Sequence, residues 1–222
     1  CCDSKEAYLI AQAIKKFKPI FVLNYQRRVF PLFERIRRDI AERKIGSIQQ
    51  ITCYYSNGLY NNGGHAIDSL SFLLGERIQR VSGTVNRHNK TYPAQDRNID
   101  GILETQSGVR IALQSFDQRA YAIYHMMIFG TTGSIKILDH GFTAEWLTIK
   151  DGTVIPIFVL QERVHQKESF VKGVLDDAIS CYEKKQIPKS SLKGGMDVIA
   201  VLDALTKSAR GAGKVVRVLY NN

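Results

Sequence analysis

The sequence predicts an α+β protein with a predominantly antiparallel open sheet and flanking helices, preceded by a truncated Rossmann-type α/β remnant. Strand-like segments follow one another closely between residues 48 and 149, and tight turns at 106–108 and 130–133 separate them. Neighbouring strands joined by such short turns pair antiparallel, because parallel pairs need long crossovers. Segments with helical periodicity lie near both ends of the chain.

The chain opens with a helix followed by a short apolar run. Asp3 can cap this helix, and Glu6 completes a capping box three residues later. Its apolar face consists of Ala7, Ile10, Ala11, Ile14 and Phe17. Pro19 ends the helix, and residues 20–23 are predicted to form a strand buried on both faces. This helix and strand look like the last unit of a doubly wound sheet, and polar residues 24–28 follow where such sheets bind ligands.

The remaining elements are read from alternation, helical spacing and turn residues. A helix is predicted over 31–44, ending at Gly46, and a further helix begins at His65. The predicted strands are 48–55, 81–85, 101–105, 109–115, 123–129, 134–137, 143–149, 154–159 and 215–219. Two helices, at 168–184 and 195–210, precede the last of these strands.

A single histidine lies where a glycine-rich loop is predicted to turn into an apolar helix. Gly63 and Gly64 precede His65 and leave room for a ligand. An imidazole in the first turn of a helix feels the positive end of the dipole, which favours its neutral form. A neutral imidazole can accept a proton near pH 7, so His65 is predicted to be a general base. Taken alone, a histidine at a helix start is more often a surface or capping residue.

Composition limits the class of protein. The 222 residues are 44% hydrophobic, enough for one large domain or one and a half. No apolar run approaches the ~20 residues of a membrane span, and no signal peptide opens the sequence, so a soluble, cytoplasmic protein is expected. The four cysteines, Cys1, Cys2, Cys53 and Cys181, lack zinc-type spacing and are expected to be reduced and structural.

The formal net charge of +10 leaves several partners open. Such a field could attract nucleic acid, a membrane surface or an anionic small substrate. However, the basic residues of the second predicted helix alternate with apolar ones, as on the solvent face of an amphipathic helix. No aromatic residues interleave with the arginines as a single-strand binding platform requires, so nucleic acid is disfavoured. No dinucleotide fingerprint occurs, and residues 211–214 read as a turn rather than a phosphate loop.

Five short motifs in register resemble a known family. They are residues 24–28 with Pro31, 45–48, 64–68 with Gly75, 129–135 and 208–210. In order and spacing, the chain resembles the glucose-fructose oxidoreductase, inositol dehydrogenase and rhizopine-catabolism family (Gfo/Idh/MocA) of NAD(P)-dependent sugar oxidoreductases. In that family a Rossmann half precedes an antiparallel-sheet half, whose open face commonly makes the dimer contact.

The resemblance implies a division of the chain and a missing part. Residues 1–28 are expected to be the C-terminal remnant of a dinucleotide-binding domain, and 29–222 the substrate-binding and oligomerisation domain. The family's Glu-Lys-Pro motif, whose lysine assists hydride transfer, is expected a few residues before Cys1. Lys18-Pro19 follows the first helix and does not correspond to it. The chain alone is therefore expected to be inactive and to bind NAD or NADP mainly through the absent N-terminal half.

The resemblance also assigns the site residues. His65 corresponds to the family's histidine that acts as base or polariser at the oxidised carbon. The residues implied to lie near substrate are Tyr25, Arg27, Asn61, Asn62 and Asp68, and those near the cofactor are Asn24 and Gln26. Asp68 is expected to orient the loop or helix, although an ordinary first-turn carboxylate is also open. For Tyr60 and Asn62 both a loop role and a substrate contact are open, and Arg28 could equally be a surface salt-bridge residue.

Asn61 departs from inositol-dehydrogenase-like members, which have an aspartate there that can take a proton. This departure favours other sugars, including nucleotide sugars. The function implied is hydride transfer between a nicotinamide and a sugar hydroxyl, in a homo-oligomer (dimer or tetramer) formed through the sheet face. The alternatives are a non-catalytic dimerisation or ligand-binding relative of the same fold and, ranked lower, a basic nucleic-acid-binding module.

Overall fold

The computed structural model describes residues 4–89, 91, 94–151, 155–167 and 169–220. Five α-helices are present in this part of the chain: α1 Ser4–Phe17, α2 Pro31–Ala41, α3 Gly64–Leu74, α4 Phe170–Lys184 and α5 Leu192–Arg210. The nine strands there are β1 Ile48–Ser56, β2 Ile78–Val85, β3 Ile99–Thr105, β4 Arg110–Phe116, β5 Tyr124–Gly130, β6 Gly133–Leu138, β7 Thr143–Lys150, β8 Ile157–His165 and β9 Val216–Arg217. Short helical turns occur at Gln26–Val29, Gly58–Gly63 and Asp139–Gly141.

All nine strands form one sheet in the order β8-β7-β6-β5-β1-β4-β3-β2-β9. Every neighbouring pair is antiparallel except β1 and β4, which run parallel in register from Gln50↔Arg110 to Ser56↔Phe116. The predicted α+β class with a predominantly antiparallel open sheet and flanking helices is therefore confirmed. After β1 the chain passes through α3 and then forms the antiparallel run β2, β3 and β4. The last strand of this run, β4, lies next to β1 and runs in the same direction.

The core lies between one face of the sheet and the helices. Pairing brings a row of six buried side chains across the sheet: Leu103, Ile111, Ile51, Ile128, Ile135 and Trp146. The long helix α5 packs on β2, and α3 packs between α2 and α5. The residues next to this row along each strand, such as Ile102 and Met127, lie on the opposite face of the sheet and are exposed or half-buried. This alternation follows from the two-residue period of a strand.

The strand predicted over residues 20–23 is wrong. These residues are irregular and half-buried to exposed, and none of the described strands pairs with them. Leu23 makes one backbone bond, donating its N–H to the carbonyl of Ser190. An apolar tetrapeptide becomes a strand only when a neighbouring strand pairs with it, and pairing is not encoded locally. Asp3, the predicted cap of α1, lies outside the described residues.

Several helices and strands begin or end at residues other than those predicted. The last predicted strand shrinks to Val216–Arg217, while β8 begins at Ile157 and continues to His165. Residues 152–154 and 168, where two predicted elements begin, lie outside the described part. Helix α5 begins three residues before its predicted start because the Ser191 hydroxyl accepts a bond from the N–H of Gly194. The thiols of Cys53 and Cys181 are free and buried, whereas Cys1 and Cys2 are not described.

Candidate functional site

His65 lies within a continuous helical segment rather than at its start. Residues Gly58–Gly63 form a π-helical turn that runs directly into α3, and Gly63 and Gly64 have right-handed helical dihedral angles. The glycine-rich loop predicted before His65 is therefore wrong, because a π-helical turn stands in its place; His65 is the second residue of α3, in its first turn as predicted. Two adjacent glycines allow a loop but do not require one, and here Gly63 packs its backbone closely against Leu59 and Tyr55.

The start of this helical segment is held by a carboxylate from the β2–β3 connection. The backbone N–H groups of Tyr60 and Asn61 each donate to an oxygen of Asp96 at 2.9 Å. Gly58 has φ +92°, and a Cβ there would lie 2.1 Å from Asp96 Oδ2, so this position requires glycine. The positive end of the helical segment thus lies beside Asp96, more than one turn before His65.

His65 faces a cavity of about 350 Å³ between α1, α3 and α5. Three further polar residues line it, namely Asn24, Tyr25 and Tyr60. Its apolar wall comes from Ala7, Ile10, Phe21, Leu23, Leu192, Met196, Ile199 and Leu202. The rings of Tyr25 and His65 meet edge to face with centroids 5.3 Å apart. No described residue makes a hydrogen bond to the His65 ring, so its nitrogens are open to a ligand in the cavity.

Burial sets the protonation of these two rings. Burial, together with the smaller effect of the nearby positive charge of Arg27, lowers the pKa of His65 to about 4. The imidazole is therefore neutral at pH 7, as predicted, but from burial rather than from a helix dipole. Burial also raises the pKa of the Tyr25 phenol, with the charge of Asp68 adding to the effect, so the hydroxyl stays protonated and can donate.

Arg27 influences the site through its charge rather than through the cavity wall. Its side chain is buried, lies 3.6 Å from the centroid of the Tyr124 ring and donates through Nη2 to the carbonyl of His140 at 2.6 Å. That carbonyl is presented by a turn in which Asp139, His140 and Gly141 all have positive φ. A Cβ at Gly141 would lie 2.9 Å from Arg27 Nε. The strained turn therefore fixes Arg27 beneath the site.

Asp68 forms a buried ion pair instead of facing the cavity. Arg28 Nε donates to Asp68 Oδ1 at 2.8 Å, and the side chains are 17% and 1% exposed. Burial raises the pKa of Asp68 to about 6 although Arg28 acts in the opposite direction. Among the described residues, no hydrogen-bond donor reaches Asp68 Oδ2. Arg28 is thus a largely buried partner of Asp68 rather than a surface residue.

The remaining predicted residues separate into two groups. Asn24 is exposed at the cavity, whereas Asn61 and Asn62 do not line it; Asn61 is exposed and Asn62 half-buried. Gln26 is half-buried, and no donor in the described part of the chain reaches its Oε1. A buried amide oxygen without a donor fits a ligand that carries N–H groups, such as the nicotinamide carboxamide.

The prediction of the site did not include Asp203 on α5. The Tyr60 hydroxyl donates to Asp203 Oδ1 at 2.9 Å, and the backbone N–H of Ser4 donates to Asp203 Oδ2, also at 2.9 Å. This carboxylate therefore ties α1 and Tyr60 to α5 at the edge of the cavity. Burial raises the pKa of Tyr60 to about 12. In the sequence, Asp203 could have been selected because it is a carboxylate between the apolar residues Leu202 and Leu205 of a core-facing helix.

The family comparison covers the centre of the chain. Residues 33–136 match the family model described as the GFO/IDH/MocA C-terminal domain. These residues include most of α2, the His65 helix and strands β1 to β5. A search of curated proteins finds no match.

Solved structures share the whole fold at low sequence identity. Aldose-aldose oxidoreductase from Caulobacter crescentus, complexed with glycerol, superposes with a TM-score of 0.79 at 14% identity, covering 98% of this chain and 69% of that one. Levoglucosan dehydrogenase in complex with NADH and L-sorbose gives 0.80 at 14% identity, covering 100% and 72%. A super-repressor mutant of Gal80p from Saccharomyces cerevisiae gives 0.78 at 13% identity, with the same coverage.

Three of the five sequence motifs, at 45–48, 64–68 with Gly75 and 129–135, lie within the residues that match the family model. Within the described residues none of the helices is both long and apolar enough to cross a membrane. Residues 33–136 therefore match the C-terminal domain of the Gfo/Idh/MocA family, and the chain as a whole shares the fold of these solved structures.

Proposed function

We propose that the chain forms the substrate-binding and dimerisation part of an enzyme that transfers hydride between NAD or NADP and a hydroxyl-bearing carbon of a sugar or sugar derivative. One observation supports this most directly. The His65 imidazole is neutral at pH 7, has no hydrogen-bond partner among the described residues, and faces a cavity. That combination is what a proton acceptor for a bound hydroxyl requires.

In this mechanism His65 accepts the proton of the substrate hydroxyl. The substrate hydroxyl donates to a ring nitrogen of His65, which takes the proton as the C–O bond becomes a carbonyl. The bound nicotinamide supplies the acceptor for the hydride that leaves the same carbon. The protonated Tyr25 hydroxyl can donate to a substrate oxygen and orient it, and the apolar wall excludes water. Proton return from His65 accompanies the reverse reaction.

Residues near the cavity fit a nicotinamide. The Oε1 atom of Gln26 is buried without a donor, and Asn24 supplies a second amide at the cavity. Asn24 would hold the carboxamide at the cavity; Gln26 does not line this cavity, and its contact with the cofactor is proposed from the family resemblance. Arg27 would keep His65 neutral before the reaction, and its charge would also favour return of the proton from His65 afterwards. Asn61, Asn62 and Asp68 do not line this cavity, so their proposed substrate role is limited to shaping the helix that carries His65.

The test is turnover by the protein that carries this chain. Aldoses, sugar alcohols and nucleotide sugars are screened with NAD⁺ and NADP⁺ by absorbance of the reduced nicotinamide. We expect His65→Asn to reduce kcat by about 10²- to 10⁴-fold, because proton transfer by a positioned base contributes that much. The matched control is His88→Asn, which alters an exposed histidine outside the cavity.

The melting temperature of His65→Asn should stay close to that of the parent protein. Full activity in His65→Asn would contradict the proposed role of His65. Absence of nicotinamide-linked turnover with every substrate would instead favour the non-catalytic relative. The likeness to Gal80p keeps that second candidate in view, because a repressor shares this fold.

A further inference from the structure

A second cavity adjoins the one that His65 faces. It measures about 710 Å³ and lies between the β2–β3 connection, the start of the π-helical turn and the end of α5. Tyr60 lines both cavities, so a ligand seated against His65 could extend past the Tyr60 ring into the second space. Val85, Leu59 and Ile99 supply apolar wall.

Three arginines line this second cavity, and they come from separate parts of the chain. Arg87 and Arg97 lie at the two ends of the β2–β3 connection, and Arg210 ends α5. Within the described residues, none of the three guanidinium groups forms an ion pair or hydrogen bond. Arg210 has an ordinary reason to be there, since a cation at a helix C-terminus is favoured by the dipole. All three arginines are exposed, and Arg87 and Arg97 also line a neighbouring cavity of about 490 Å³.

The Asp96 carboxylate also lines this cavity and offsets part of the positive charge. Both oxygens of Asp96 accept backbone N–H groups at the start of the helical segment. A different basic cavity, of about 490 Å³ near the start of α5, provides the contrast. There three cations already have carboxylate partners: Arg28 pairs with Asp68, Arg77 with Asp197 and Lys189 with Glu34. Arg37 and Lys193 also line that cavity and have no carboxylate partner among the described residues, so both cavities keep positive charge. In the cavity of Arg87, Arg97 and Arg210, none of the three cations is paired with a described residue.

We propose that the cavity of Arg87, Arg97 and Arg210 binds the phosphate groups of the substrate, which is accordingly a phosphorylated or nucleotide-linked sugar. This rests on the proposed function for the position of the sugar beside His65. The planar guanidinium group presents paired N–H donors that match phosphate oxygens. Like charges that line one cavity repel one another, and a bound anion relieves this repulsion. The volume exceeds that of one phosphate and suits a diphosphate with a further group attached.

The experiment measures binding without turnover. Inorganic pyrophosphate and uridine diphosphate are titrated into the protein by calorimetry at about 0.15 M salt, where exposed charges are screened. NAD⁺ at saturation fills any dinucleotide pocket elsewhere in the protein. We expect saturable binding that weakens by about tenfold or more in Arg87→Gln/Arg97→Gln, since each lost guanidinium removes charge-assisted hydrogen bonds.

Two controls separate this proposal from its alternatives. Arg38→Gln removes the same charge from an exposed arginine on α2 that lines neither cavity, and it should leave the affinity unchanged. His65→Asn should also bind both probes normally, so a failure of the hydride-transfer proposal does not affect this result. Absence of saturable binding, or an equal loss in Arg38→Gln, would overturn the phosphate site. Tighter binding of uridine diphosphate than of pyrophosphate would identify the nucleotide-linked form.

Discussion

His65 and Asp68 lie three residues apart on α3, and burial shifts their pKa values in opposite directions. Burial disfavours the charged form of each group, so it lowers the pKa of the imidazole to about 4 and raises that of the carboxyl to about 6. The sequence predicted a neutral His65 from its place in a helix, and that state holds for another reason. The depth of a side chain depends on which elements cover it, which no local pattern contains.

The shift at His65 predicts a pH dependence of stability. The unfolded chain binds the proton near pH 6.5 and the folded chain near pH 4, so His65 favours folding above pH 6.5 and loses this contribution as the pH falls toward 4. Relative to His65→Gln, the free energy of unfolding of the parent protein should rise by about 2–3 kcal/mol between pH 4 and 6.5. Chemical denaturation of both proteins at several pH values measures this.

Subtracting the variant cancels the other titrating groups common to both proteins. A constant difference across that range would mean that His65 titrates normally and is not buried in solution. Asp68 should give the opposite pH dependence of stability within the same protein. Its raised pKa means that its contribution to stability is present at low pH and is lost as the pH rises toward 6.

Among the secondary-structure elements, the helical segment that carries His65 depends most on a distant residue. Its first N–H groups are satisfied by Asp96, more than thirty residues later in the chain. The sequence of two asparagines and two glycines indicated a loop, because those residues are common in turns. The helix forms there because the carboxylate caps it and the apolar residues after His65 are buried on α3.

Comparing substitutions at two glycines separates the effect of the contact with Asp96 from the effect of backbone strain. Gly58 and Gly108 have nearly equal φ values of +92° and +90°, but a Cβ at Gly58 meets Asp96 whereas one at Gly108 meets nothing within 4 Å. Gly108→Ala should lower the free energy of unfolding by about 1 kcal/mol from backbone strain alone. Gly58→Ala should lower it by about 2–3 kcal/mol, because Asp96 must also give up its capping bonds.

Equilibrium unfolding in urea gives both values under the same conditions. Hydrogen exchange of the Tyr60 and Asn61 amides should speed up in Gly58→Ala and not in Gly108→Ala. Equal costs for the two variants would show that Asp96 contributes nothing to holding the segment.

In the molecule as a whole, the sheet has one covered face and one face with few covering side chains. Met126 is fully buried on the helix side of β5, while Met127 is half-buried on the other side. The pairing aligns Met127 with Thr52, and through Thr52 and Ala112 with the exposed Ile102. A broad, partly apolar face of this kind supports the proposed contact with a second copy of the chain.

Met127→Glu tests that contact. A charge placed on this face should convert the proposed dimer to monomers, because a buried unpaired carboxylate disfavours the interface. The monomer should keep its melting temperature within a few degrees. Met126→Ala is the matched core change and should cost about 2–5 kcal/mol of unfolding free energy without a specific effect on assembly. Analytical ultracentrifugation of both variants distinguishes these outcomes, and an unchanged dimer in Met127→Glu would contradict the sheet-face contact.

The sequence by itself determined the local structure and the chemistry-bearing residue. Alternating apolar residues and turn residues predicted seven strands of the sheet near their observed places, and motif spacing selected His65 and Tyr25. The tertiary structure alone decided that β1 pairs in parallel with β4, that residues 20–23 form no strand and that Arg27 lies beneath the site. It also brought Arg87, Arg97 and Arg210 to one cavity. The reason is physical: periodicity acts over a few neighbouring residues, whereas strand order, burial and converging charge depend on contacts between distant segments.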